Sequence, residues 1–279
     1  MSIWLIFSLF CVAANCATAG LANDTKIVPS RLRPLYTSRI SNGIAATADQ
    51  FPFYVYMMSQ GVGQSSSCGG SVISPLWVLT AAHCTYNYLS VDMYFGSTDV
   101  YEMTEIITST YWHEHEQYNP SNYNNDISVI QLPQPLAYTP SIQPISLLTS
   151  SEAENSFDGQ AAIVMGFGYM SDSDPTESPD LLYTNVIVIA NSLCTSYYGS
   201  SIVSAGTMCA KGASSSTQSI CSGDSGGPMV ISDGSGGYTQ IGINSFVSTT
   251  GCTVGMPSGY VRLGSYLDWV SKWTGIALP

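Results

Sequence analysis

The 279-residue sequence is short of positive charge: seven Lys and Arg stand against 19 Asp and Glu. Four of the seven, Lys26, Arg31, Arg33 and Arg39, fall within residues 20–39, which leaves only Lys211, Arg262 and Lys272 beyond Ile40. A surface that acidic repels phosphate and anionic lipid, which argues against nucleic acid and membrane as partners. It also offers few targets to an enzyme that cuts after Lys or Arg, although solubility alone explains the acidity equally well. Histidine is scarce too, with only His83, His113 and His115. There is no Cys-x-x-Cys, which weakens zinc and redox readings. There is also no dense carboxylate loop with calcium-ligand spacing. No cofactor or metal is expected. Past the N-terminal segment, no run is long and apolar enough for a membrane helix.

The N-terminus carries an apolar run, Trp4 to Val12, followed by the small-residue pattern Ala17-Thr18-Ala19. Residues 1–19 are expected to be a removed signal peptide, since the run is too short to span a bilayer comfortably. Residues 20–39 hold two prolines and scattered charge with little periodicity, and read as an exposed leader with no core of its own. From Ile40 the texture changes to short β-rich runs: Phe53 to Met58, Ser71 to Thr80, Ile127 to Leu132, Ala161 to Met165, Val186 to Ala190, Met229 to Ser232 and Thr239 to Ser245. Gly, Pro, Asn and Ser clusters separate them. Many short strands with turn signals between them predict an all-β sandwich or barrel. Met170 to Asp180 and Lys211 to Ser219 read as exposed loops. Tyr266, Trp269, Val270 and Trp273 recur at helical spacing and predict a terminal amphipathic helix, expected to pack on the last barrel.

Cys11 and Cys16 fall in the signal, leaving Cys68, Cys84, Cys194, Cys209, Cys221 and Cys252. Six cysteines in a secreted chain predict three disulfides, for which the sequence allows fifteen pairings.

The stretch richest in chemistry is Gly223-Asp224-Ser225-Gly226-Gly227-Pro228. It satisfies the nucleophile-elbow pattern of α/β-hydrolases, but in those enzymes the base follows the nucleophile. All three histidines precede Ser225, and Pro228 interrupts the helix an elbow requires. A serine hydroxyl needs a nearby general base and a third group that holds the base in one tautomer. His83, in Thr80-Ala81-Ala82-His83-Cys84, sits at a strand end beside a cysteine. His113 and His115 lie in the acidic stretch His113-Glu114-His115-Glu116, which reads as solvated surface. Asp126 precedes an apolar run, where a buried carboxylate needs a partner.

Thr80-Ala81-Ala82-His83-Cys84, Asn125-Asp126-Ile127 and Gly223-Asp224-Ser225-Gly226-Gly227-Pro228 stand in the order of chymotrypsin-like serine proteases. Cys68-Gly69-Gly70-Ser71, Gly166-Phe167-Gly168 and Pro257-Ser258-Gly259-Tyr260 extend the resemblance over residues 40 to about 275. The resemblance implies two antiparallel six-stranded β-barrels, roughly 40–148 and 149–262, followed by a C-terminal α-helix. It implies the disulfides Cys68 to Cys84, Cys194 to Cys209 and Cys221 to Cys252. It makes His83, Asp126 and Ser225 the catalytic triad, with the N–H groups of Gly223 and Ser225 as the oxyanion hole. Arg39-Ile40 resembles an activation site, with the freed Ile40 ammonium inserting beside Asp224, so residues 20–39 become an activation propeptide. Expected partners are protein or peptide substrates, a trypsin-like activating protease and protein inhibitors, for a secreted monomer of digestive type. Some members of this family are catalytically dead adaptors, but they usually lose a triad residue, and all three stand here.

By the same resemblance Ser219 forms the base of the specificity pocket, and Ser245, Phe246, Val247 and Ser258 its walls. Ser219 is neutral and disfavours Lys and Arg. Val247 and Ser258 replace glycines of wide-pocket members, which resembles the elastase-like arrangement and favours Ala, Val or Leu. A chymotrypsin-like preference for Phe, Tyr or Leu stays open, because Ser258-Gly259 replaces the usual Gly-Val. A neutral pocket predicts that the enzyme does not cut its own Arg39–Ile40 bond. Purified precursor is therefore expected to stay intact alone and to be cut by added trypsin. Maturation alone, at a rate first order in its own concentration, would count against a separate activator.

Overall fold

Period-two alternation builds both halves of this chain. Along Ser90–Phe95, Val91, Met93 and Phe95 are buried while the residues between them are partly exposed. Leu182, Thr184, Val186 and Val188 repeat the pattern along Leu182–Ile189. Such alternation fixes register, because a one-residue slip would turn every apolar side chain to water. The structure, a computed structural model, describes residues 43–278. The expected signal peptide and propeptide, with Arg39 and Ile40, lie outside the described residues.

Seven strands form the N-terminal sheet in the order Glu105–Ser109, Ser90–Phe95, Tyr54–Gly61, Gln64–Ser74, Trp77–Thr80, Ser128–Gln131 and Trp112–Glu114. In the C-terminal half, six strands close on themselves: Leu182–Ile189, Ala161–Gly166, Pro228–Ser232, Tyr238–Phe246, Ser258–Arg262 and Thr207–Gly212, with the last paired back to the first. Val55, Met57, Val78 and Leu79 fill the first core, and Val164, Met165, Ile241 and Ile243 the second. Each such side chain contributes about 1.5 to 3 kcal/mol relative to leaving it exposed. Cys68–Cys84, Cys194–Cys209 and Cys221–Cys252 are bonded, the same pairs that the resemblance implies.

The structure refines the expectation of two antiparallel six-stranded barrels. The second barrel closes, but the first half is a curled sheet whose outer strands, Glu105–Ser109 and Trp112–Glu114, share no ladder. The chain passes directly from one to the other through Thr110 and Tyr111. One side-chain bond crosses the seam, from Ser109 Oγ to the Gln131 carbonyl (2.6 Å), while the Gln131 N–H bonded to the Tyr111 carbonyl (3.0 Å) prolongs the ladder between the last two strands. Ser71 to Thr80 is two strands, Gln64–Ser74 and Trp77–Thr80, because Pro75 has no N–H to continue the ladder. Met170 to Asp180, expected as an exposed loop, carries a short hairpin, Tyr169–Ser171 with Asp174–Glu177, whose turn Asp172-Ser173 is exposed.

The terminal helix is Leu267–Thr274, closed by Gly275 in the left-handed conformation (φ 70°). Its aromatic side meets the first sheet, not only the last barrel as expected. Trp273 stacks on His113 with ring centroids 3.7 Å apart, and Trp269 lies 5.5 Å from His115. Glu116 accepts bonds from Trp269 Nε1 (2.9 Å) and Lys272 Nζ (3.0 Å). The stretch read as solvated surface is therefore a docking edge, and burial lowers the pKa of both His113 and His115. Trp269→Ala is expected to destabilise the protein by about 3 to 5 kcal/mol. Urea unfolding would read this as a lower midpoint at unchanged slope, and a change below about 1 kcal/mol would deny the helix a role in anchoring the first sheet.

Candidate active site

His83 lies in the 3₁₀ turn Ala82–Cys84, which follows the strand Trp77–Thr80. The buried Thr80, Ala81 and Ala82 fix the approach, and the Cys68–Cys84 bond ties the turn to the neighbouring strand. Ser128 pairs with Thr80 across the ladder, which carries Asp126 to the same strand end. The Asp126 carboxylate, 1% exposed, accepts the His83 backbone N–H (2.9 Å) on Oδ1 and His83 Nδ1 (2.8 Å) on Oδ2. Ser245 Oγ, from the other half, donates to the same Oδ2 at 2.6 Å. Burial alone would lower the pKa of His83. The charge and hydrogen bond of Asp126 outweigh it, and the pKa is raised.

Ser225 stands in the turn before the strand Pro228–Ser232, between two glycines at positive φ, Gly223 (93°) and Gly226 (79°). Gly226 is also sterically required: a Cβ there would fall 2.2 Å from Thr80 Oγ1 and 2.4 Å from the Gly69 carbonyl. That absent Cβ lets the Gly69 N–H reach the Ser225 carbonyl at 2.6 Å. The buried Asp224 carboxylate accepts the N–H groups of Gly168 and Cys221, each at 2.8 Å. Burial raises its pKa to about 7 despite those bonds. Its expected partner Ile40 lies outside the described residues.

A cleft of about 550 Å³ is lined by His83, Gly223 and Ser225 together with Ser245, Phe246 and Val247. Ser219 and Ser258, 3% and 2% exposed, are not among its lining residues. Their hydroxyls face each other at 2.5 Å. The Phe246 ring covers Gly259, where a Cβ would lie 2.1 Å from the ring. That close approach is a physical reason for the Ser258-Gly259 order.

The cleft also holds residues that no motif in the sequence identified. Tyr123, held at φ 57°, sets its ring edge-on to His83 (5.8 Å) and 6.2 Å from Phe246. Asp172, in the exposed turn between Tyr169–Ser171 and Asp174–Glu177, accepts the N–H groups of Cys252 (2.7 Å) and Thr253 (2.9 Å) as well as the Thr253 hydroxyl. Those bonds pin the pocket rim, and the run of acidic residues around Asp172 disguised it as solvated surface. Asp172→Ala removes the acceptor for these charge-assisted bonds, each worth about 1.5 to 3 kcal/mol. The expected result is a several-fold rise in KM on short peptides with a smaller change in kcat. An unchanged KM would mean that the rim holds its shape without Asp172.

Comparison with known proteins agrees with this geometry. The family model described as Trypsin matches residues 40–270. A collagenase of Hypoderma lineatum is 38% identical over 89% of this chain and 92% of its own length. Brachyurin of Leptuca pugilator is 35% identical over 85% of this chain and 99% of its own. A solved structure of HL collagenase superposes with a TM-score of 0.78 at 38% identity, covering 85% of this chain and 99% of that one. With the family model spanning both sheets and His83, bonded to the buried Asp126, lining the same cleft as Ser225, the chain belongs to the trypsin family of chymotrypsin-like serine endopeptidases.

Proposed function

We propose that the protein is a secreted endopeptidase made as a zymogen, with His83, Asp126 and Ser225 as its triad and a preference for small to medium apolar residues before the scissile bond. The observation that carries the triad is the doubly bonded Asp126–His83 pair opening on the same cleft as Ser225. With Nδ1–H donated to Asp126, Nε2 is left as the acceptor that takes the Ser225 proton as Oγ attacks the carbonyl. The N–H groups of Gly223 and Ser225 receive the oxyanion, and the positive φ of Gly223 supports that orientation. His83 then returns the proton to the leaving amine, and water repeats the sequence on the acyl-enzyme. The buried Asp224, half neutral near pH 7 and without a cation among the described residues, suits an ammonium delivered by cleavage after Arg39.

Two features support the apolar preference. Val247 is among the residues lining the cleft, and Ser219 and Ser258, buried behind it where the resemblance puts the pocket base and wall, are neutral and bonded to each other, which leaves neither free to recruit a polar substrate group. A misfit methylene is worth only about 1 to 3 kcal/mol, so the preference is graded. A matched series of peptides ending in Ala, Val, Leu, Phe, Tyr and Arg, given to trypsin-treated precursor and to its Ser225→Ala form, tests the whole reading. Ala, Val and Leu should lead, and Ser225→Ala should abolish turnover. The raised pKa of His83 places the acid limb above the ordinary histidine value, so activity should rise with pH through that region. Asp126→Asn should cost about 10⁴-fold, a size established for this family's triad rather than derived from this geometry. Leading activity on Phe and Tyr would keep the protease and reject the narrow pocket, whereas turnover by Ser225→Ala would reject the triad.

A further inference from the structure

A second cavity, about 300 Å³, adjoins the cleft and shares with it only Ser66, Ser67, Ser222 and Gly223. It includes none of the pocket-wall residues Ser245, Phe246 and Val247, so it extends from the oxyanion position away from that wall. A peptide whose scissile carbonyl sits at Gly223, with the residue before the bond in the pocket, can continue across this second cavity. One charged side chain lines it, Glu177. The carboxylate accepts the Tyr56 hydroxyl (3.0 Å) and the Ser67 hydroxyl, both neutral donors, and a carboxylate has room for about four. A Cβ built on Gly223 would lie 3.5 Å from Glu177 Oε1, which measures how near this charge stands to the oxyanion site.

Nothing among the described residues balances Glu177. Lys211 is engaged by Tyr197, Arg262 by the Ser156 carbonyl and Lys272 by Glu116. A lone carboxylate beside the place where an oxyanion develops opposes the reaction unless a cation arrives with the substrate. Resting on the endopeptidase reading above, we infer that Glu177 is a specificity residue that selects a Lys or Arg side chain within the first two residues after the scissile bond. The mature chain holds few such residues, and its own activation site places Ile40 and Ser41 there, so neither is a favoured substrate.

The test uses activated enzyme and internally quenched peptides of one fixed acyl half, with Arg, Ala or Glu at the first or the second position after the scissile bond. In the wild type, kcat/KM for Arg over Ala should reach about five- to tenfold at one of these positions at low salt, falling towards one at high salt. Glu177→Gln should bring that ratio close to one, and Glu177→Lys should turn the preference to Glu. Because each ratio is taken within one enzyme, losses from imperfect folding cancel. A ratio near one in the wild type, or one unchanged in Glu177→Gln, would overturn the assignment and leave Glu177 as an anchor for two hydroxyls. No hydrolysis of any peptide by the wild type would sink the endopeptidase reading and this inference with it, an outcome distinct from hydrolysis without preference.

Discussion

The site depends on a close approach of two backbones. Gly69, on a strand of the N-terminal sheet, donates to the Ser225 carbonyl of the C-terminal half at 2.6 Å. A Cβ on Gly69 would lie 2.9 Å from the Gly227 Cα, and one on Gly226 would strike Thr80. Glycine is needed on both sides, because any side chain would wedge the sheets apart by more than a hydrogen bond can span. This contact sets Ser225 against the strand end that carries His83. The buried pair Ser71 Oγ and Gln240 Oε1, 2.7 Å apart, adds a directional bond between the same two halves.

Negative charge is the second theme, and its uses differ by position. Asp126 is wholly enclosed and matched by three donors, one of them from the opposite half, so its charge is spent on orienting a histidine. Asp224 is enclosed with two backbone donors and pushed towards neutrality by burial. Asp172 is exposed and fully used by the rim it holds. Glu177 keeps acceptor capacity facing a cavity. Burial and donor count separate these four roles, and neither is readable from residue type.

The aromatic strap at the C-terminus shows how a local rule can succeed while its tertiary corollary fails. Period 3.6 in Tyr266, Trp269, Val270 and Trp273 is a property of nearby residues, so the helix was legible. Where it docks depends on a surface formed 150 residues earlier in the chain, the edge Trp112–Glu114 with His115 and Glu116. The acidic, histidine-bearing composition of that edge pointed to water, and only the packing of Trp273 on His113 reveals its use.

The sequence by itself determined the order of the strand runs, the helix, the identity of His83, Asp126 and Ser225 as candidates, and the family to which they point. These signals are local or are carried by short motifs whose residue types the chemistry constrains. Strands such as Ser90–Phe95, Thr207–Gly212 and Ser258–Arg262 lack a continuous apolar run, because polar residues or glycine interrupt their apolar positions, so the sequence marks them less clearly than the runs around Ile127 or Ala161. Tertiary structure alone decided that the first sheet stays unladdered at its seam, that Ser219 and Ser258 satisfy each other, and that Asp172 reaches the cleft and Glu177 the cavity beside it. The reason is physical: an acidic side chain on a hairpin costs nothing to leave in water. Its sequence context therefore carries no trace of a partner that folding brings to it from elsewhere.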